Sequence, residues 1–194
     1  PVSDLPTLRH ADSYLQGHPN MNLVPGVDMS TGSLGQGVSC AAGMAKGAKY
    51  LGQDINVYTL LGDGEIEEGE VWEAFMFAAH YKLDNLCVII DLNGLQIDGP
   101  TEKVMNSAPV DAKMEAFGFN VITIDGHDYD QIESAFNAFR ACTGKPTAIL
   151  MHTTKGKGVS YMENNVDWHG KAPNDAEYEV AMSELRAAMA ELEA

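Results

Sequence analysis

The chain has 194 residues, 45% of them hydrophobic, enough to bury one core of ordinary size, and it reads as a single domain over 1–194. Its net charge of −16 argues against nucleic acid as a partner, because a phosphate backbone demands a basic face. No apolar run approaches membrane-spanning length and no signal peptide is visible, so no membrane partner is expected.

Hydrophobic periodicity gives alternating elements. Leu5–Tyr14 is predicted helical, and His18–Thr31 is a loop rich in Pro, Asn and Gly. Small and apolar residues at helical spacing predict a helix over Ser33–Tyr50. A strand over Ile55–Leu61, a helix over Gly69–Lys82 and a strand over Leu86–Leu92 follow. Next come a helix at Val110–Phe117, a strand at Phe119–Asp125, an amphipathic helix at Tyr129–Cys142 and a strand at Pro146–Thr153. A long loop runs from Thr154 to Asn174 before an alanine-rich helix over Ala176–Leu192. The alternation predicts an α/β fold with a mainly parallel sheet flanked by helices on both faces. Cys40, Cys87 and Cys142 lie in apolar segments without metal-type spacing. They read as buried thiols in a reducing compartment, and a cytoplasmic location is expected.

Two side chains stand out against this background. Asp63, in Gly62-Asp63-Gly64, follows one apolar strand, and Asn93 follows the next, with a helix between them. A right-handed strand–helix–strand unit brings both to the same sheet edge, outside the carboxyl ends of the strands where α/β folds bind ligands. A carboxylate plus a neutral amide oxygen suits a hard divalent ion whose other ligands are phosphate oxygens. Gly62 and Gly64 allow a tight turn and a close backbone approach to phosphate. Glu65, Glu67, Glu68 and Glu70 crowd the turn, so a bare anion would be repelled and a cation should mediate. Taken alone, Asp63 and Asn93 are equally readable as turn residues, which are common after strands.

The surrounding text resolves that ambiguity by resemblance. Gly62-Asp63-Gly64, an intervening helix and Asn93 match the thiamine-diphosphate motif. GHPN at Gly17–Asn20, PGVDMSTGSLGQG at Pro25–Gly37, LLGDGEIEEGEVWEA at Leu60–Ala74, NGLQIDGPT at Asn93–Thr101 and WHGKAP at Trp168–Pro173 run in family order through most of the chain. Together they closely resemble the N-terminal, diphosphate-binding part of transketolase. The family's earlier Ser-Gly-His-Pro and Lys-Gly-His-Ala blocks, with two active-site histidines, are not in this sequence, and nothing after the last helix resembles its pyrimidine-binding domain. The expectation is the smaller subunit of a split, two-chain transketolase, incomplete at its N-terminus.

The resemblance implies roles residue by residue. Asp63, Asn93 and the backbone carbonyl of Leu95 would coordinate Mg²⁺ or Ca²⁺. Gly62, Gly64 and Glu65 belong to the diphosphate-side turn, with the Gly64 N–H offered to phosphate. His169 matches a histidine that hydrogen-bonds the diphosphate, and His18 one that contacts substrate hydroxyls, work that suits imidazole near neutral pH. Gly32 and Leu34 match positions lining the aminopyrimidine, and Ile97 an apolar contact to the thiazolium. Glu68 and Glu73 match acidic residues at the subunit interface that are thought to link two active sites, although glutamates also suit a helix N-terminus. Apart from the resemblance, Lys155 and Lys157 read as a flexible basic loop after a strand that would close over the cofactor or steer phosphorylated sugars, and equally as a solvated loop. His10, His80, His127 and His152 carry no matching block and read as structural or surface residues.

The implied activity is two-carbon ketol transfer from a ketose phosphate to an aldose phosphate. Thiamine diphosphate would sit between this chain and a partner chain's pyrimidine-binding domain, the partner supplying the glutamate that activates the cofactor. The assembly expected is a heterotetramer of two copies of each chain, inactive without the partner, serving the pentose phosphate pathway or a specialised sugar pathway. The competing readings are a deoxyxylulose-phosphate synthase or 2-oxo-acid dehydrogenase subunit, which share the two-residue metal motif, and a non-catalytic cofactor-binding accessory chain. A nicotinamide dehydrogenase is disfavoured, because no GxGxxG follows the first strand.

Overall fold

The computed structural model describes residues 1–193. In chain order the elements are helix α1 (Gln36–Tyr50), strand β1 (Val57–Gly62), helix α2 (Gly69–His80) and strand β2 (Leu86–Leu92). A two-residue hairpin follows, β3 (Leu95–Gln96) and β4 (Gly99–Pro100), then helices α3 (Thr101–Val104) and α4 (Val110–Phe117). Strand β5 (Asn120–Asp125), helix α5 (Tyr129–Ala141), strand β6 (Thr147–His152) and helix α6 (Asp175–Leu192) complete the series. The four long strands form a parallel sheet in the order β1-β2-β6-β5.

That order explains the layering. The chain steps from β1 to β2, then past the place of β6 to β5, so right-handed crossovers put α2 and α4 on one face. It returns from β5 to β6 in the opposite sense, which puts α5 on the other face. The two cores follow. On the first face α1, α2 and α4 bury Ala41, Ala45, Val71, Phe75 and Met114 against Leu61, Val88, Ile90 and Leu150. The alanines of α1 let its backbone approach α2 and β1 closely. On the second face Ala135 and Phe139 of α5 cover Cys87, Ile124 and Ile149. Tyr58 of β1 packs edge-on against Phe139, ring centroids 5.4 Å apart, while Leu60 on the same face remains exposed.

Several boundaries differ from the sequence reading. The helix expected over Leu5–Tyr14 is instead a 3-10 turn over Val2–Thr7. Pro6 removes a backbone donor, and Leu5 and Leu8 are both exposed, so no apolar face repays helix formation. Helix α1 begins at Gln36 rather than Ser33, because Gly35 at its N-cap takes a left-handed conformation with φ of 83°. The hairpin after Asn93 was not anticipated. Of the three cysteines, Cys87 is buried, its thiol pushed up to about 12 by burial. Cys40 and Cys142 are only half-buried, a correction to the expectation that all three are interior.

Candidate functional site

The carboxyl ends of β1 and β2 are adjacent, with Gly62 opposite Asp91 in the register. Asp63 therefore emerges one residue past β1, beside the loop that leaves β2. It is 4% exposed, and both its oxygens are held by backbone: Oδ1 accepts from Gly64 N at 2.9 Å and Oδ2 accepts from Gly94 N. Burial pushes its carboxyl above the usual range; the Gly94 and Gly64 N–H groups pull it back, and the neighbouring Asp91 adds to the push. Among the described residues the two ion pairs are Lys49–Asp84 and Lys171–Glu177, so no lysine or arginine offsets this buried charge.

Asn93 lies on the neighbouring loop, one residue before the Gly94 N–H that holds Asp63. Its Nδ2 donates to Asp91 Oδ2 at 3.1 Å, which fixes the amide, and its Oδ1 accepts from Leu95 N at 3.0 Å. Asp91 is held in turn by the Thr153 hydroxyl at the end of β6. The hairpin then sets the Leu95 carbonyl. Thr101 N donates to Gly94 O at 3.0 Å, so Gly94–Thr101 is a hydrogen-bonded pair and Leu95–Pro100 the non-bonded pair that follows it. The Leu95 N–H and C=O consequently point away from β4, towards the side of the Asn93 carboxamide. Asp63, Asn93 and Leu95 are thus three oxygen donors of mixed charge, gathered at one sheet edge.

This donor set fits a hard divalent cation whose remaining ligands come from another molecule. No group of three or more His, Cys, Asp or Glu capable of holding an ion exists among the described residues. The set in the chain is one carboxylate, one amide and one carbonyl, and needs further oxygens to fill a coordination sphere of six to eight. The turn is tight on the other side too: a Cβ at Gly64 would lie 2.9 Å from Gln96 Cβ, so only glycine lets the turn seat against the hairpin.

A second group of predicted residues lines a cavity of about 1070 Å³ running along the edge of β1. His18, Gly32, Leu34 and Glu65 all border it. The His18 ring packs on Gly32, where an added Cβ would lie 2.8 Å from His18 Cγ. Glu65 reaches into the cavity wall from the turn after Asp63, with both carboxylate oxygens occupied by the backbone N–H groups of Gly35 and Gly62. Glu65 therefore links the two groups, lining the His18 cavity while its carboxylate holds Gly62 at the start of the turn that carries Asp63.

The other predicted residues are less constrained. Leu34 and Ile97 are 62% and 67% exposed, Ile97 at the tip of the β3–β4 hairpin. Glu68, the N-cap of α2, and Glu73, in its second turn, are exposed, with the Glu68 Cβ against Gly35. His169 is exposed, on a loop anchored by the Trp168 ring, over which Lys171 Nζ sits at 4.3 Å. Neither His169 nor Lys155 has a side-chain hydrogen bond to the Asp63 cluster. Asp91 and Thr153, which orient Asn93, were not singled out from the sequence. Asp91 sits inside an apolar strand run two residues before Asn93, and that proximity was the one signal that pointed to it.

Comparison with known proteins bears on the whole chain. Residues 1–190 match the family model described as transketolase, thiamine diphosphate binding domain. The chain is 43% identical over 186 residues to one of the subunits of the apulose-4-phosphate transketolase of Actinobacillus succinogenes, an alignment covering 96% of this chain and 67% of that protein. It is 41% identical over 185 residues to the 6-deoxy-6-sulfo-D-fructose transketolase subunit SqwG of a Clostridium species, covering 95% of this chain and 67% of that one. Among solved structures, the transketolase of Campylobacter jejuni superposes with a TM-score of 0.89 at 35% identity, over 94% of this chain and 30% of that one. The chain therefore spans about two thirds of the subunit-type relatives and under a third of the Campylobacter jejuni transketolase chain.

Proposed function

The chain belongs to the family of transketolase thiamine-diphosphate-binding domains, and from that premise we propose that it is one subunit of a split, two-chain enzyme that moves a two-carbon ketol unit between sugar phosphates. The observation that carries the reading is Asp63: a buried carboxylate without a cationic partner, next to two neutral oxygen donors at the carboxyl edge of a parallel sheet.

Asp63, Asn93 and the Leu95 carbonyl hold Mg²⁺ or Ca²⁺ in this proposal, and the cation offsets the buried charge. The diphosphate of the cofactor supplies the missing oxygens, with Gly62 and Gly64 leaving room for it and His169 donating to it from the loop before α6. Thiamine diphosphate, when bound, supplies the carbanion chemistry. The chain's own residues position and shield. Asp91 and Thr153 keep the Asn93 amide turned so that its oxygen meets the cation. Gly32, Leu34 and Ile97 provide an apolar lining for the rings, and His18 donates or accepts a proton-bearing contact at the sugar hydroxyls. Glu68 and Glu73 face the partner. The partner carries the pyrimidine-binding domain, and two copies of each chain form the assembly, in a reducing cytoplasm.

The names of the subunit relatives support substrates beyond the ordinary pentose and hexose phosphates, because one is named for apulose-4-phosphate and another for 6-deoxy-6-sulfo-D-fructose. The test is calorimetric titration of thiamine diphosphate with Mg²⁺ into the chain, alone and with its partner chain, followed by ketol-transfer assays on the mixture. Xylulose phosphate, apulose phosphate and sulfofructose serve as donors. Binding and turnover in the mixture, and no turnover by this chain alone, are the expected results. Turnover by the chain alone defeats the split-subunit reading, and absence of binding in both samples defeats the site.

A further inference from the structure

Glu65 presents a puzzle: a carboxylate on the wall of a cavity that, on the reading above, accepts a cofactor whose diphosphate is strongly anionic. Its geometry gives the carboxylate another task. Oε1 accepts from Gly35 N at 2.9 Å and Oε2 accepts from Gly62 N at 3.1 Å, so both oxygens are turned towards backbone. The two amides belong to segments far apart in sequence. Gly62 ends β1 and begins the turn that carries Asp63. Gly35 ends the loop that carries Gly32 and Leu34, and caps α1.

We propose that Glu65 is a positioning residue: its carboxylate staples the Gly32–Gly35 loop to the end of β1 and keeps the ring side and the metal side of the cofactor site in register. This rests on the functional reading given above. Three observations support it. Among the described residues, the Glu65–Gly35 bond is the one side-chain hydrogen bond joining residues 31–35 to the turn after β1. Gly35 is buried in a left-handed conformation, and a Cβ there would lie 2.9 Å from Glu68 Cβ, so the loop already seats hard against the same acidic turn. Of the neighbouring glutamates, Glu67 engages Gln96 through one oxygen and leaves the other without a partner, and Glu68 and Glu70 are exposed. Among these glutamates only Glu65 has both oxygens committed, one within its own turn and one across to Gly35.

The chemistry specifies glutamate. A glutamine has one acceptor oxygen, and its NH₂ group would meet the second N–H donor to donor. Glu65→Gln therefore keeps the shape and breaks one arm, and Glu65→Ala removes both.

Two measurements on the full chain, with the partner chain added where ligand binding requires it, test the staple. The first is amide hydrogen exchange without ligand. Loss of a hydrogen bond to a charged acceptor should speed exchange at Gly35 by about 10- to 100-fold in Glu65→Ala, and by less in Glu65→Gln, with β5 and β6 amides unchanged. The second compares magnesium pyrophosphate with magnesium thiamine diphosphate. A staple predicts thiamine diphosphate affinity down about 10-fold or more and pyrophosphate affinity within about twofold, since only the coupling between the two sides is broken. Unchanged exchange at Gly35 overturns the proposal. So does an equal loss for both ligands, which would make Glu65 part of the diphosphate grip, and so does uniform acceleration through β5 and β6 in both variants, which would make it a general fold residue. A wild-type chain that binds neither ligand overturns the functional reading instead, and exchange at Gly35 then decides the staple by itself.

Discussion

Asp63→Asn separates a ligand from a turn residue, because the two roles predict opposite balances between stability and binding. In the free chain the substitution removes a buried negative charge that has no cationic partner and that Asp91 further disfavours. It also leaves either Gly64 N or Gly94 N facing an NH₂ group instead of an oxygen. A hydrogen bond to a charged acceptor is worth about 1.5–3 kcal/mol, and relief of the buried charge is of the same order with the opposite sign. The free chain should change by no more than about 2 kcal/mol, which for a chain of this length is a Tm shift of less than about 8 °C. Binding behaves differently. On the proposed site the variant loses the one carboxylate of the cation's ligand set, and affinity for magnesium thiamine diphosphate should fall at least about 100-fold. At a ligand concentration of about 100 Kd the wild type gains about 2.7 kcal/mol, a rise of roughly 5–11 °C, and the variant should show almost none of it. Thermal unfolding with and without ligand reads both quantities in one experiment. An Asp63→Asn chain that keeps the ligand-induced rise while losing more than about 3 kcal/mol of unliganded stability would refute the reasoning, and would return Asp63 to the role of a turn residue.

Asp91→Asn should weaken the Mg²⁺ dependence of cofactor binding by about 10- to 100-fold with a small change in unliganded Tm, since Asp91 fixes the Asn93 amide without being a ligand; titration of Mg²⁺ at fixed thiamine diphosphate checks it. Gly35→Ala should cost about 2–3 kcal/mol in urea unfolding, from the left-handed φ of 83° and the 2.9 Å approach to Glu68 Cβ. Gly43→Ala in the same helix, where an added Cβ meets nothing within 4 Å, should instead stabilise by up to about 1 kcal/mol. Asp84 lies at the opposite edge of the sheet. Burial pushes its carboxyl up, but Lys49 and the Gly144 N–H outweigh it, and the net shift is downward. A lowered folded value means stability that is present above about pH 3.9 and lost as pH falls through the folded value. Asp84→Asn should flatten the stability profile below about pH 4 and cost about 1 kcal/mol at pH 7, with cofactor affinity unchanged.

Much of this architecture was legible because burial dictates it locally. Strand Leu86–Leu92 and helix Val110–Phe117 have the predicted bounds, one an uninterrupted apolar run and the other bracketed by Pro109 and Gly118. The meeting of Asp63 and Asn93 at one edge followed from the handedness of a single strand–helix–strand unit. What stayed hidden depends on contacts distant in sequence. Nothing local distinguishes Glu65, with its bond to Gly35 thirty residues away, from Glu67, Glu68 or Glu70. The Asp91–Thr153 bond spans 62 residues and exists only because β6 lies next to β2. Leu5–Tyr14 failed for the reverse reason: its apolar spacing was real, but no sheet face waits to cover Leu5 and Leu8.

The electrostatics of the site tie these residues into one device. Asp63 is held by two backbone N–H groups, Asp91 by the Asn93 amide and the Thr153 hydroxyl, Glu65 by two more N–H groups and Glu67 by the Gln96 amide. Every one of these donors is neutral. Neutral dipoles orient a carboxylate and stabilise it locally, but they leave its charge in place, so the turn after β1 keeps a negative field in a chain already at −16. Such a field rejects a free diphosphate and attracts a divalent ion. On the proposed reading a diphosphate enters with its cation, the pair arriving with its charge already reduced, so thiamine diphosphate titrated without Mg²⁺ should show no binding, and metal-independent binding would refute the argument.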